Sequence, residues 1–139
     1  MTQLAQATIS QTVSRTETDF SRQAYHILHF GFSAAPILFG LDKFLNLMTN
    51  WSNYLAPWTV RFVGNAHAFM YGIGVVEIVA GILVWLKPRW GSYVVAVWLL
   101  GIIFNLLTYP GFYDVALRDF GLLLGALALG RLSEVYQKD

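Results

Sequence analysis

The chain has 139 residues and a formal net charge of +1, with 56% hydrophobic but only 12% charged residues. Soluble domains carry about 25% charged residues, so an ordinary soluble enzyme, a disordered chain and a coiled coil are excluded. The near-neutral charge leaves no basic surface for nucleic acid. The sequence has no cysteine, which excludes disulfides, thiolate metal sites and catalytic thiols. Composition therefore predicts an integral membrane protein, and it identifies no reaction.

The N-terminal segment, residues 1–23, is a polar leader rich in Ser, Thr and Gln. It has no compact basic region, and no small-residue cleavage site follows the first apolar stretch, so a signal peptide is not expected. We expect this leader to be flexible or to lie along a partner. Asp19 or Ser21 is the expected N-cap of the first membrane helix.

Four long, weakly charged stretches follow the leader and predict spans at about 24–42, 62–86, 90–109 and 113–132. Each approaches the roughly 20 residues that a bilayer core requires. The second contains one charge, Glu77. The fourth has three charges in its first third, before GLLLGALALG at 121–130, and Arg131 near its end. The runs lack the alternation of barrel strands. The predicted fold is an all-α, integral membrane four-helix bundle, with one domain over 24–134 and a tail at 135–139.

Basic residues predict the orientation of the bundle. Six lie on the side of the two termini and three on the opposite side: Arg15, Arg22, Lys87, Arg89, Arg131 and Lys138, against Lys43, Arg61 and Arg118. The positive-inside rule therefore places both termini in the cytoplasm. We expect the protein in a bacterial inner membrane.

The long outer loop, residues 42–61, has apolar side chains at steps of three and four, which predicts an amphipathic helix. Trp51, Tyr54 and Trp58 suit the boundary between water and lipid. The simpler interpretation is an interfacial anchor. The alternative is a lid over a site between the spans.

Glu77 is the one charge near the middle of the second span. An unpaired carboxylate there costs at least about 2.5 kcal/mol. It must therefore face the bundle interior, take up a proton or pair with a cation. A structural bond to a neighbouring helix and a role in proton relay or cofactor contact are both open.

All four predicted spans place polar groups near the outer surface: Asp42, Lys43, His67, Asn105, Arg118 and Asp119. Intramembrane charges generally pair, so we expect Lys43 to pair with Asp119, or Arg118 with Asp42. The result would be a structural tie between helices. The alternative is a polar pocket that opens outward, with His67 as its titrating group.

His26 and His29 share a face of the first span, and His67 lies near the other membrane surface. Two histidines on one helix cannot hold a haem iron from both sides. We therefore predict no metal site and no cofactor bound by this chain alone, with a quinone contact left open. No HExxH, EF-hand, Walker or GxSxG pattern is present, so catalytic residues are not assigned.

Three segments together resemble the DoxX-like family of small four-helix membrane proteins: GLDKF at 40–44, VEIVAGILV at 76–84 and RDFGLLLGALAL at 118–129. The resemblance covers about residues 25–132 and carries over to Gly40, Lys43, Glu77, Gly81 and Asp119. It implies a four-helix bundle associated with membrane redox chemistry. Some family members are subunits of thiosulfate:quinone oxidoreductases.

The sequence therefore favours an accessory membrane subunit of a larger respiratory or other redox complex, near a quinone or haem held mainly by other chains. We expect no catalytic activity from the chain by itself. Its expected partners are the lipid bilayer and other membrane subunits. Binding to nucleic acid is not expected. Two alternatives stay open: a self-sufficient quinone-reactive oxidoreductase subunit, and a small proton or solute transporter that uses Glu77.

Overall fold

The computed structural model describes residues 2–137, and these residues contain no β-strand. They form five α-helices and one short 3-10 helix. The α-helices are α1 (Thr2–Leu45), α2 (Pro57–Val63), α3 (Ala66–Leu86), α4 (Pro88–Leu107) and α5 (Tyr113–Tyr136), and the 3-10 helix covers Trp51–Tyr54. The protein is therefore all-α in the described part of the chain.

Helix α1 has 44 residues and joins the polar leader to the first apolar stretch without a break. Asp19 and Ser21 lie inside this helix, so the predicted N-cap is wrong. No Gly or Pro occurs before Gly31 to interrupt the helix. The leader's threonine hydroxyls donate to carbonyls one turn earlier, as in Thr8 to Leu4 at 2.9 Å and Thr12 to Thr8 at 3.0 Å. These side chains therefore satisfy their own helix rather than capping a later one.

The loop between α1 and α3 is broken into the 3-10 helix and α2, so the prediction of one amphipathic helix over 42–61 is wrong. Two local features end the helical path. Asn46 adopts a positive φ of 51° after the end of α1, and the Asp42 carboxylate accepts hydrogen bonds from the backbone N–H groups of Leu47 (3.0 Å) and Met48 (3.1 Å). Pro57 then begins α2 at a position where its missing N–H costs nothing.

Helix α1 packs along α3, α4 packs on both α3 and α5, and α5 also contacts α1. The largest cluster of buried apolar side chains lies between these four helices and includes Tyr25, Val84, Leu99, Leu123 and Leu129. In residues 2–137, three helices are long and apolar enough to cross a membrane: α1, α3 and α4. Helix α5 continues to Tyr136, four residues beyond the predicted end of the fourth span at 132. Lys138, used in predicting the orientation, lies outside the described residues.

Glycines allow the backbones of α1 and α3 to approach closely. A Cβ added at Gly74 would lie 2.7 Å from the carbonyl oxygen of Gly40, and one added at Gly81 would lie 2.7 Å from that of Ser33. Gly74 and Gly81 are two helical turns apart and therefore share a face of α3. Glu77 lies between them on this face, so the close packing directs its side chain toward α1.

Candidate functional site

A buried ion pair between α1 and α3 forms the centre of the site. The Nζ atom of Lys43 donates to Oε2 of Glu77 at 2.6 Å, and the two side chains are 5% and 10% exposed. A charge-assisted bond at this distance is strong, but desolvation of the two ions opposes it. The pair explains how a carboxylate is tolerated in the apolar α3: the first helix supplies its cation.

Trp51, in the loop between α1 and α3, covers this pair. Its ring centroid is 3.9 Å from Nζ of Lys43, and its Nε1 atom donates to Oδ2 of Asp42 at 2.7 Å. A lysine ammonium over an indole face gains a cation–π attraction that is larger where water is excluded. Asp42 also accepts the two backbone bonds that turn the chain after α1. One tryptophan therefore joins the loop to adjacent residues of opposite charge.

Two further helices contribute polar groups around Glu77. On α4, Nε1 of Trp98 lies 3.5 Å from Oε1 of Glu77 in donor geometry. On α5, Asp119 is partly buried and interacts electrostatically with both Glu77 and Lys43. The cluster of Lys43, Glu77, Trp98 and Asp119, which we call the charged cluster, thus draws on α1, α3, α4 and α5.

The predicted partners in the outer charge network are wrong. Lys43 pairs with Glu77, which lies directly across the glycine contact, rather than with Asp119. Asp42 is occupied by Trp51 and the loop backbone rather than by Arg118. Arg118 lies 3.9 Å from Asp114 on the exposed face of α5. Such an exposed pair contributes little to stability.

Asn105 fixes the loop between α1 and α3 to the end of α4. Its Oδ1 atom accepts from the backbone N–H of Ala56 at 3.0 Å and from the hydroxyl of Thr59 at 3.2 Å, while Nδ2 donates to the carbonyl of Tyr54 at 2.8 Å. Nearby, Nε1 of Trp58 donates to the Thr108 hydroxyl at 2.9 Å. These bonds assign Asn105 a structural role in holding the loop.

The three predicted interfacial aromatics have different environments. The Trp51 ring lies over Lys43 of the charged cluster. Tyr54 packs between the rings of Trp51 and Phe112, with centroid distances of 6.0 and 4.6 Å. Trp58 is half exposed, which suits a position at a lipid boundary.

His67 does not belong to the charged cluster. It is exposed near the start of α3, and its Nδ1 atom lies 3.1 Å from the hydroxyl of Ser52 in the 3-10 helix. The predicted pocket with His67 as its titrating group is therefore not formed around this residue. Its contact instead ties the loop to α3.

His29 has a structural role that the sequence did not suggest. Its Nε2 atom lies 3.0 Å from the carbonyl oxygen of Val84 and 3.1 Å from that of Trp85. Both partners are acceptors, so Nε2 carries the proton. Pro88 has no N–H to donate to Val84, and the N–H of Arg89 donates instead to Gln137 at 2.6 Å. His29 therefore caps the C-terminal end of α3.

Loss of the His29 cap should destabilise the protein. His29→Ala should lower the free energy of unfolding by about 1 kcal/mol, because a partly buried hydrogen bond and a ring contact with Trp85 are lost. His26→Ala is the matched control, since His26 is an exposed neighbour on the same helix, and should change stability by less than about 0.5 kcal/mol. Denaturant titration of both purified variants in detergent measures the difference. Equal losses in the two variants would contradict the capping role.

Two of the open concavities on the described surface lie outside the charged cluster, and neither is lined by it. One, of about 290 Å³, is formed by polar residues of α1 between Ser14 and Arg22. The other, of about 160 Å³, is apolar and lies between α1 and Trp85 of α3. In residues 2–137, no three His, Asp or Glu side chains converge as metal ligands do. The charges of the cluster thus act on one another rather than line either concavity.

Sequence reasoning missed Trp98, because an indole in an apolar span looks like any other large apolar residue. It also missed the Lys43–Glu77 pair, although Gly74 and Gly81 on either side of Glu77 were visible as small packing positions. Their spacing is the signal that could have placed Glu77 against α1.

Comparisons with protein-family models, with curated proteins and with solved structures find no match to this chain.

Proposed function

We propose that this protein is an integral membrane accessory subunit of a larger redox complex, with α1, α3, α4 and α5 as a four-helix transmembrane bundle. The observation that carries the structural part is the charged cluster. Lys43 and Glu77 are buried against each other and join two helices. Asn105 and His29 are also held in place, in their case by hydrogen bonds to backbone carbonyl groups. Polar groups with these contacts serve assembly better than catalysis.

The outer faces of the helices support a position among lipids and other membrane chains. Large apolar side chains are exposed on every long helix, among them Val79 and Trp85 on α3, Val97 and Phe104 on α4, and Leu124 on α5. Exposed apolar surface of this extent is typical of membrane or protein contact. Helix α5 has 24 residues, which is long enough to cross a bilayer core, and its charges lie on either side of the apolar run 120–130; its length and this run support it as the fourth span.

The redox part of the proposal is supported by the DoxX-like resemblance of the segments that contain Lys43, Glu77 and Asp119. These residues lie on three different helices, and the structure brings all three into the charged cluster. A shared structural cluster is what a common bundle would require. The electron carrier would be held mainly by other chains.

One observation favours a second function, proton transfer to or from a quinone. The charged cluster contains two acids, Glu77 and Asp119, for one cation, Lys43. A low-dielectric site with unequal charge can be balanced by a proton, which makes an acid a candidate for relay. In this function Asp119 is the exchanging group, since Glu77 already pairs with Lys43.

The orientation can be tested with single cysteines, because the natural chain has none. Asn53 and Lys87 are both exposed, so labelling reports the side of the membrane rather than burial. We expect an impermeant maleimide added outside intact cells to label Asn53→Cys and not Lys87→Cys. After the cells are opened, both should react. Labelling of Lys87→Cys in intact cells would reverse the proposed orientation.

Purification in mild detergent tests the function. We expect the protein to copurify with redox subunits. We also expect the Asp119→Asn variant to assemble normally and to keep turnover of the complex within about twofold of the natural protein, which corresponds to a change of less than about 0.5 kcal/mol in activation free energy. If Asp119→Asn assembles normally but loses turnover more than about tenfold, the proton-transfer function is favoured. A purified chain with turnover of its own would overturn the accessory role.

A further inference from the structure

The two concavities described above lie one after the other along the same side of α1. The polar concavity is lined by Ser14, Arg15, Thr18, Asp19 and Arg22. The apolar concavity is lined by Phe30, Ser33, Ala34, Ile37 and Trp85. Asp19 in the first, His26 between them and Ser33 in the second follow one another at intervals of seven residues, so they share a face of the helix. A cationic concavity therefore continues into an apolar one on this face.

Helix α3 ends beside the apolar concavity and does not reach the polar one. His29 of α1 lies 3.1 Å from the carbonyl oxygen of Trp85 in the last turn of α3. Arg22 and Arg15 precede His29 by seven and fourteen residues, so they lie on the same face of α1, beyond the end of α3. Lys87 is the residue that directly follows α3. Three cations are therefore placed where α3 ends.

Two of these cations have their charge free for an external anion. In residues 2–137, neither Arg22 nor Lys87 forms an ion pair, and both side chains are exposed. The Arg22 guanidinium lies 5.9 Å from the centroid of the Tyr136 ring, a contact that does not neutralise its charge. Asp19 is the acid that lines the polar concavity, against Arg15 and Arg22. The site thus has an excess of positive charge.

The apolar concavity suits a hydrocarbon chain. Its lining combines the exposed rings of Phe30 and Trp85, at 68% and 57%, with the small side chains of Ser33 and Ala34. The Ser33 hydroxyl donates to the carbonyl of His29 at 2.7 Å, so its proton is not available to a ligand. The Trp85 ring stacks on His29 at a centroid distance of 5.1 Å. The stacked ring is held in place, and the lining offers dispersion contacts rather than hydrogen bonds.

We infer that an anionic phospholipid binds along this side of α1, with its phosphate at Arg22 and Lys87 and one acyl chain in the apolar concavity. An amphiphile fits because the cations and the apolar lining follow one another along one helix face. Arg22 precedes Phe30 by eight residues, which is about 12 Å along a helix, so one lipid molecule can reach both. Trp85 has the place at the membrane boundary that tryptophan prefers. The inference rests on the proposed membrane bundle and not on its redox role.

Quenching of tryptophan fluorescence by brominated phospholipids tests the site. The full-length protein is reconstituted in phosphatidylcholine vesicles that contain some phosphatidylglycerol, with bromine on the acyl chains of one lipid or the other. Trp85 lines the apolar concavity and therefore reports a chain bound there. We expect the apparent affinity for phosphatidylglycerol to exceed that for phosphatidylcholine by at least about tenfold. The reason is that each of two cations near the membrane surface favours an anionic lipid by about fivefold.

Two sets of variants locate the lipid. Trp85→Phe should remove the excess quenching by phosphatidylglycerol, whereas Trp90→Phe, which changes another exposed indole, should retain it. Arg22→Gln and Lys87→Gln should each lower the preference for phosphatidylglycerol by about fivefold. Arg131→Gln is the matched control, since Arg131 is an exposed cation on α5, and it should leave the preference unchanged.

Filling the apolar concavity tests the acyl chain. Ala34→Leu adds apolar atoms where the chain is placed, so it should abolish most of the excess quenching. Gly31→Leu introduces the same side chain on α1 at a position where a Cβ meets nothing within 4 Å, and it should retain the excess. Circular dichroism of both variants in the same vesicles checks that the helices are intact.

Equal quenching by the two brominated lipids in the natural protein would overturn the proposal. Equal losses in Arg22→Gln and Arg131→Gln would also overturn it, because they would indicate a general attraction of the basic surface. Excess quenching that survives Trp85→Phe would place the lipid elsewhere, with the same consequence. The measurement uses this chain alone, so its failure leaves the redox proposal standing, and failure to copurify with redox subunits leaves the lipid result standing.

Discussion

Lys43→Met should lower the free energy of unfolding by about 3–5 kcal/mol, since it leaves Glu77 as a buried carboxylate without its cation. The expected loss is large because both side chains are almost fully buried and their charged atoms are 2.6 Å apart. The change also removes the ammonium from the face of Trp51. Denaturant titration in detergent, followed by tryptophan fluorescence, measures the effect.

Arg118→Met is the matched control for this substitution. Arg118, like Lys43, is a cation with an acidic neighbour, but its side chain is exposed and lies 3.9 Å from the Asp114 carboxylate. The control should change stability by less than about 1 kcal/mol. If Lys43→Met is as well tolerated as Arg118→Met, the Lys43–Glu77 pair does not hold α1 to α3.

Gly74→Leu should destabilise the protein by about 3 kcal/mol or more, because the new side chain would be forced into the backbone of α1. Its Cβ alone would lie 2.7 Å from the carbonyl oxygen of Gly40 and 3.2 Å from Cβ of Lys43. The helices would have to separate, which would also stretch the ion pair. Thermal unfolding of the purified variant in detergent tests this expectation.

Gly72→Leu provides the comparison within the same helix. A Cβ at Gly72 meets nothing within 4 Å, and leucine has a higher helix propensity than glycine by up to about 1 kcal/mol. Gly72→Leu should therefore be neutral or slightly stabilising. A similar loss in both variants would show that the close approach of α1 and α3 at Gly74 is not what limits substitution.

The helical class followed from composition and from the lengths of the apolar runs, because these depend on local sequence. The boundaries of α3, α4 and α5 were predicted to within about four residues, which is the usual accuracy for helix ends read from sequence. The start of the first helix was not predicted. It was expected near residue 24, whereas α1 begins at Thr2, because the leader contains no Gly or Pro that would interrupt a helix. The single loop helix failed because the Asp42 side chain and Asn46 redirect the backbone there.

Partner choice within the charged cluster could not be predicted from depth alone. Lys43, Glu77 and Asp119 were all identified as candidate residues, but a linear sequence gives no rotation of α1 relative to α3. That rotation is set by the contact of Gly40 with Gly74, which turns Lys43 toward Glu77. Trp51 was identified as aromatic and interfacial, whereas its bond to Asp42 depends on the turn that ends α1.

The double variant Lys43→Met, Glu77→Leu tests the structural role of the charged cluster most directly. Replacing a buried ion pair by apolar residues of similar size is often neutral for stability. We therefore predict that the double variant recovers most of the stability lost in Lys43→Met. The complex that contains it should assemble, and its turnover should stay within about twofold of the natural complex, a change of less than about 0.5 kcal/mol in activation free energy. A double variant that folds and assembles but loses turnover by about a hundredfold, roughly 2.7 kcal/mol, would contradict the structural account and assign the pair to the chemistry.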